Sequence, residues 1–518
     1  MSKRISSSLH ELIQSMSKSE KRYFKVFSSR HTIGEENNYI RIFDYIEQLE
    51  EYNEELLFEY FEGEAFLNKF SITKNRLYES ILKALDAYHA NSSVDAQIFR
   101  LIHGAEILYK KSLYNHAHKQ LISAEKLAIK HEKHILQVEI NKQLKKIIES
   151  KGHSQTVSKE VQSIFETNKK LIDTISYYTT LWQLKGELFA HINTKGQARS
   201  KEDIKNYVEI KAKLDQLGKP EAPSFENTYL YNHVMSAYFF AINEKAESLT
   251  YLEINLTLYK NNPNKIQHEP NIYFSILTNI IHLKSQVGDY KTALIHLNEL
   301  KTFPDKYKID LNEDLAIKLF SSKYSLKLML YTNQGEFEKA AELASIIEEG
   351  LRLYTDKITL TRKAYLAFKL AVAFFGLGDY HTSLKWLNQI LNDNRLDEKE
   401  DLLAFAQILN LLVHLELKNE RLLPYALKST QRFLKKRNRT YQFETIFLKY
   451  ISKIAKSTDR FEEELILKSV QKELDEIKKD PLESIALDYF DFSAWIEAKL
   501  KCKTFQETKQ FVYLSALK

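Results

Sequence analysis

The chain has 518 residues, 44% hydrophobic and 28% charged, with a formal net charge of +6. That balance excludes a disordered chain and leaves no strong basic excess of the kind a dedicated nucleic-acid binder carries. Average usage would supply about 36 glycines and 26 prolines; the 12 and 7 present, with one cysteine, exclude a turn-rich sheet fold, a disulfide framework and a cysteine-based zinc site.

Residues 1–92 are predicted as a region of four or five short helices. The opening MSKRISSSLHELIQSMSKSEKRYF has no apolar core of a secretion signal. With one cysteine, Cys502, and no run of about 18 apolar residues anywhere, the expectation is a cytoplasmic protein with no membrane span. A basic amphipathic stretch, KSEKRYFKVFSSR, precedes a segment from Glu47 to Glu64 that carries eight glutamates. Then comes KFSITKNRLYESILKAL. Read as a recognition helix, it would offer Ser71, Thr73, Lys74, Asn75 and Arg76 to bases while Leu77, Ile81 and Leu85 pack inward. The usual turn glycine is absent, and Thr73 serves equally as a helix N-cap.

From residue 93 onward the chain repeats itself, in blocks at 93–218 and 224–478. The strongest copies are VGDYKTALIHLNEL from Val287, QGEFEKAAELASII from Gln334 and LGDYHTSLKWLNQI from Leu377. Each has glycine, an acidic residue, an aromatic, and a small residue three further on: Ala293, Ala340 and Ser383. Weaker copies place Tyr114 with Ala117, then Ser248, Ala426, and Phe461 with Glu464. Successive anchors from Ser248 to Glu464 lie 45, 47, 43, 43 and 38 residues apart. The 131 residues between Ala117 and Ser248 make three such units, so two degenerate copies are expected near 161 and 204. Two of the prolines, in LGKPEAPSF at 217–225, mark a hinge between the blocks. The last region, 479–518, is expected to cap the stack, with Tyr489, Phe490, Phe492 and Trp495 covering its final repeat.

The physics of each position is simple. Glycine turns the chain at positive φ, the acidic residue caps the next helix, and the small residue lets two helices cross closely. The pattern resembles the tetratricopeptide-repeat family over roughly residues 95–475, with a period near 44 in place of 34 and most closing prolines missing. The resemblance implies an all-α, right-handed α-solenoid of about eight or nine hairpins with divergent helical ends. It also implies a concave groove lined by the first helix of each hairpin. In YFSILTNIIHLKSQVG the core phase takes Ile276, Leu277, Ile280 and Ile281, which leaves Ser275, Thr278, Asn279 and His282 for the groove. Ser325, Met329 and Lys369 share that phase in neighbouring units.

Other constellations are weaker. The Gly376/Gly378 pair in FFGLGDY follows an apolar helix and precedes an acidic residue, which suits a helical turn and not a phosphate loop. His116, His118, His131 and His134 lack the pattern of a third metal ligand. Lys435, Lys436, Arg437 and Arg439 form a basic run that complements a helix C-terminus. No nucleophile elbow, Walker loop or zincin helix occurs.

The expectation is therefore a non-enzymatic scaffold, with no cofactor or metal, that binds a protein or peptide partner on its concave face. The alternative is a regulator whose N-terminal helices contact DNA or RNA through Thr73, Lys74, Asn75 and Arg76 while the repeats sense a peptide or protein. The abundance of Lys, Asn, Ile, Phe and Tyr suits an AT-rich bacterial genome.

Overall fold

A computed structural model describes residues 2–29, 37–90, 93–150, 155–220, 224–354, 357–393, 395–396, 400–437, 439–457 and 459–516. Every regular element among them is helical. The chain divides into two compact units, 1–175 and 176–518, and the boundary falls within one helix, Gln155–Lys195.

In the first unit, the helices Ser2–Ser15, Lys18–Ser29, Asn38–Gln48, Glu54–Tyr60 and Phe70–Tyr88 close on one core. Leu9, Ile13, Phe24, Phe43, Ile46, Phe61, Leu77 and Ile81 fill it. Val94–Lys110 and Tyr114–Lys130 then form a hairpin that packs on His134–Ser150.

The second unit is a stack of helical hairpins. Its main pairs are Phe225–Ala241 with Lys245–Lys260, Pro270–Gln286 with Tyr290–Lys306, Leu360–Gly376 with Tyr380–Leu391, and Gln442–Ile454 with Arg460–Ile477. The long helix Glu313–Gln334 pairs with the short helix Phe337–Ala341, and Glu400–Glu416 with Leu423–Lys436.

One turn recurs in both units. Ser112, Asn243, Gly288, Gly335, Gly378 and Lys418 all have φ between 53° and 84°. In each case the next amide donates to the carbonyl five residues earlier, as Asp289 does to Lys284 at 2.9 Å and Asp379 to Phe374 at 3.0 Å. This left-handed closure satisfies carbonyls that the ending helix leaves open. Five residues past the first five of these turns sit Ala117, Ser248, Ala293, Ala340 and Ser383, all completely buried. Ser248 Oγ donates to the Ser236 carbonyl at 2.9 Å, and Ser383 Oγ to the Ala371 carbonyl at 2.8 Å. A hydroxyl that reaches the partner helix's backbone leaves no room for a larger side chain.

The glycine pair is thereby explained. Gly378 holds φ +78°, and Asp379 accepts from the Thr382 amide at 3.0 Å as the next helix's cap. Gly376 is helical, and a Cβ there would overlap the buried Phe337 ring of the preceding hairpin.

Three expectations of register fail. The helix Gln155–Lys195 runs unbroken for 41 residues, so no hairpin turns near 161. At Ala426 the frame is displaced: the turn is at Lys418, an extra turn delays the helix to Leu423, and the fully buried small position is Thr430. Glu464 is a half-buried partner of Lys468 rather than a crossing residue. The stretch NNPNKIQHEP holds the short helix Pro263–His268, and Pro270 opens the next one. Residues 221–223 of the expected hinge lie outside the described residues.

Gly376→Ala should lower stability by about 1–3 kcal/mol through overpacking on Phe337. Thermal unfolding of the full chain checks this; an unchanged midpoint would mean that the two hairpins do not meet there.

Candidate functional site

The interior of the second unit brings together segments far apart in sequence. The Ala198 amide donates to the Ala241 carbonyl at 2.7 Å, and Arg439 donates to the Lys195 carbonyl at 3.2 Å while pairing with Asp401. Arg199 reaches Glu444, 245 residues away, and both side chains are fully buried.

The unit's own C-terminal segment fills this interior. The Pro481 carbonyl accepts from Asn243 Nδ2 at 2.6 Å. Glu483 accepts from the Gln442 and Phe443 amides, both at 3.0 Å, and from Arg199 at 3.3 Å. Those amides open the helix Gln442–Ile454, where the helix dipole favours a carboxylate. Asp488 pairs with Lys245 at 2.8 Å and accepts from Gln286 Nε2 at 3.0 Å. Tyr489 stacks on Phe405 with centroids 4.2 Å apart, and Phe490 packs edge-on to Phe375 at 5.2 Å. Asp491 pairs with Lys509 at 2.8 Å and caps the helix Phe492–Leu500 through the Ala494 amide. The segment is thus held by side chains from successive hairpins.

Burial shifts the charges inside. It pushes the Asp488 carboxyl up, against the pull of Lys245 and Lys369. It pushes Glu444 up in spite of Arg199. It brings the Lys369 ammonium down to about 8, although Asp488 opposes the change. His282 falls to about 4, from burial first and then from Lys369 and Lys245.

No protein-family model matches the chain, and no curated protein does either.

The expected groove residues divide. His282, Met329 and Lys369 line one cavity of about 170 Å³, together with Asn333 and Asp488. Asn279 and His282 line a second, also about 170 Å³, beside Phe189 and His233. Met329 and Lys369 are buried, His282 is partly buried and Asn279 is exposed. Ser275, Thr278 and Ser325 are partly buried and donate to their own helices, to the carbonyls of Asn271, Ser275 and Ser322.

In the first unit, Leu77 and Ile81 pack inward and Asn75 and Arg76 are exposed. Thr73 donates back to the Lys69 carbonyl. Lys74 is buried; it pairs with Glu54 at 3.0 Å and lies over the Phe70 ring. Of the basic run, Arg439 is buried in its pair with Asp401 and Arg437 lies over Phe433. Among the described residues no three His, Cys, Asp or Glu side chains gather as metal ligands, and no helix is long and apolar enough to cross a membrane.

Sequence reasoning missed Arg199, Lys245, Glu444, Glu483 and Asp488. The only local signal was LESIALDYFDF, where acids alternate with buried-type aromatics just after Pro481.

Two predictions follow from these charges. Arg199→Met leaves Glu444 and Glu483 without their cation in the interior and should cost about 3–5 kcal/mol. Pairing it with Glu444→Met should restore most of that, as chemical denaturation of both variants will read. His282, with its folded pKa below its ordinary 6.5, contributes stability that is complete above pH 6.5 and lost as the pH falls toward 4, because the unfolded chain takes up the proton first. That loss is about 2 kcal/mol at pH 5; His282→Gln should flatten the fall in unfolding midpoint between pH 7 and 5.

Proposed function

We propose that the protein is a tetratricopeptide-like interaction scaffold whose second unit takes a short segment of a partner protein into its concave interior. Binding is non-covalent and needs no cofactor, and the cytoplasm is its place of work. The observation that carries this reading is the seating of residues 481–491. Side chains of four helical pairs, with the helix-terminal amides of a fifth, grip a short, non-repeating stretch of chain by ion pairs, hydrogen bonds and ring stacking. A surface built to hold one such stretch has the shape and chemistry to hold another. The resemblance of the repeats to tetratricopeptide hairpins supports it independently, since stacked hairpins of that kind present first-helix side chains to partners.

Placing a photo-reactive side chain at Asn279 or Ser325, on the first helices, tests this in the native cell. Cross-links from these positions to one partner protein are expected, and the same probe at Leu294 or Lys301, on a second helix, should give none. Capture only from Leu294 or Lys301 would move the interface to the convex face and remove the proposal.

A further inference from the structure

We infer that the interior of the second unit is a binding site for an acidic–aromatic peptide segment, in which an acidic residue is followed five positions later by Asp-Tyr-Phe or its like, and that residues 481–491 are the chain's own competitor for it. This deepens the scaffold reading and rests on it.

Charge is the first argument. Among the described residues, Arg199, Lys245 and Lys369 face the interior; Arg199 pairs with Glu444 and lies near Asp203, Arg439 and Asp401 pair with each other, and Lys245 and Lys369 are left to Asp488. Without residues 481–491, Lys245 and Lys369 would face the opened interior with no carboxylate partner, and a complementary occupant has to bring one. Asp488 is that carboxylate, and Glu483, five residues earlier, lies against Arg199. Phe368 and Phe405 take the Tyr489 ring, and Phe375 takes that of Phe490.

The second argument is that the present occupant fits incompletely. Lys369 is only 4% exposed, yet its ammonium makes no hydrogen bond; it has the Asp488 charge and two ring faces for company. Gln286 Oε1, Asn243 Oδ1 and Arg199 Nε are buried without partners. The cavity of about 170 Å³ beside Lys369 lies between the segment and the hairpins, room for several further atoms. Buried polar groups without partners carry a cost that a better occupant removes. A partner segment with one more acceptor near Lys369 therefore competes on favourable terms, while the tethered segment has the advantage of being on the same chain.

The test uses the full-length chain and a fluorescein-labelled peptide that copies residues 480–493. Wild type should bind it weakly, because its own segment is in place. The Asp488→Asn/Tyr489→Ala variant should bind it at least tenfold more tightly. Adding Lys245→Met to that variant should abolish most of the gain, and a peptide with alanine at its Glu, Asp and Tyr positions should not bind. Equal binding by wild type and variant, or by the two peptides, overturns the inference; so does competition by a single-stranded oligonucleotide as strong as that of the unlabelled peptide, which would make the site a general polyanion surface. Should the double variant lose its helical circular dichroism, Glu483→Gln gives a second release of the segment with the rings untouched, and unchanged peptide binding there is also contrary. If Asn279 and Ser325 cross-link to a partner while the peptide fails, the scaffold reading survives and the acidic–aromatic chemistry falls.

Discussion

A single helical hairpin cannot hide its apolar face, and everything else in the second unit follows from how hairpins are made to stack. The control lies in one short turn. A residue at positive φ ends the first helix, the next amide reaches back five residues, and a small side chain five residues past the turn lets the two helices touch. Ser248 and Ser383 fix that approach with hydroxyl bonds across the crossing. With the helix spacing set inside each hairpin, neighbouring hairpins meet through close contacts such as Gly376 on Phe337. First helices of three hairpins, through His282, Met329 and Lys369, line one cavity of the interior.

That interior is polar as well as aromatic, which places a second demand on the fold. A buried charge needs a partner or it destabilises the state that buries it. Arg199 has Glu444, and Lys245 has Asp488. Glu483 meets the demand twice over, by accepting two helix-terminal amides and by lying against Arg199. The ring contacts of Tyr489 and Phe490 add apolar burial at the same place. The C-terminal segment is thus part of the unit's core.

The local half of this was legible in sequence. Gly288, Gly335 and Gly378 announce their turns because few other residues take that backbone shape cheaply. Ser112, Asn243 and Lys418 take the same shape without announcing it, which is why the frame drifted to Ala426 when the turn was at Lys418. The 41-residue helix carries a full unit's length with no turn at all, so period arithmetic misplaced a hairpin there. Lys74 looked like a base reader because a helical wheel cannot see Glu54, 20 residues earlier, waiting for it. The aromatics of 489–495 were expected to cover the final repeat, whereas Tyr489 and Phe490 meet Phe405 and Phe375 of earlier hairpins. That destination was not legible, since contacts across more than 200 residues of chain, such as Lys245 with Asp488, leave no periodic trace.

Hydrogen exchange read by mass spectrometry on the full chain at neutral pH tests the seating of the C-terminal segment most directly. The expected result is that amides of residues 484–492 exchange as slowly as those of the helix Gln442–Ile454, and that Glu483→Gln with Asp488→Asn speeds the segment while the hairpins stay protected. Fast exchange of 484–492 in the wild-type chain would contradict it, and with it the picture of an interior that holds a peptide.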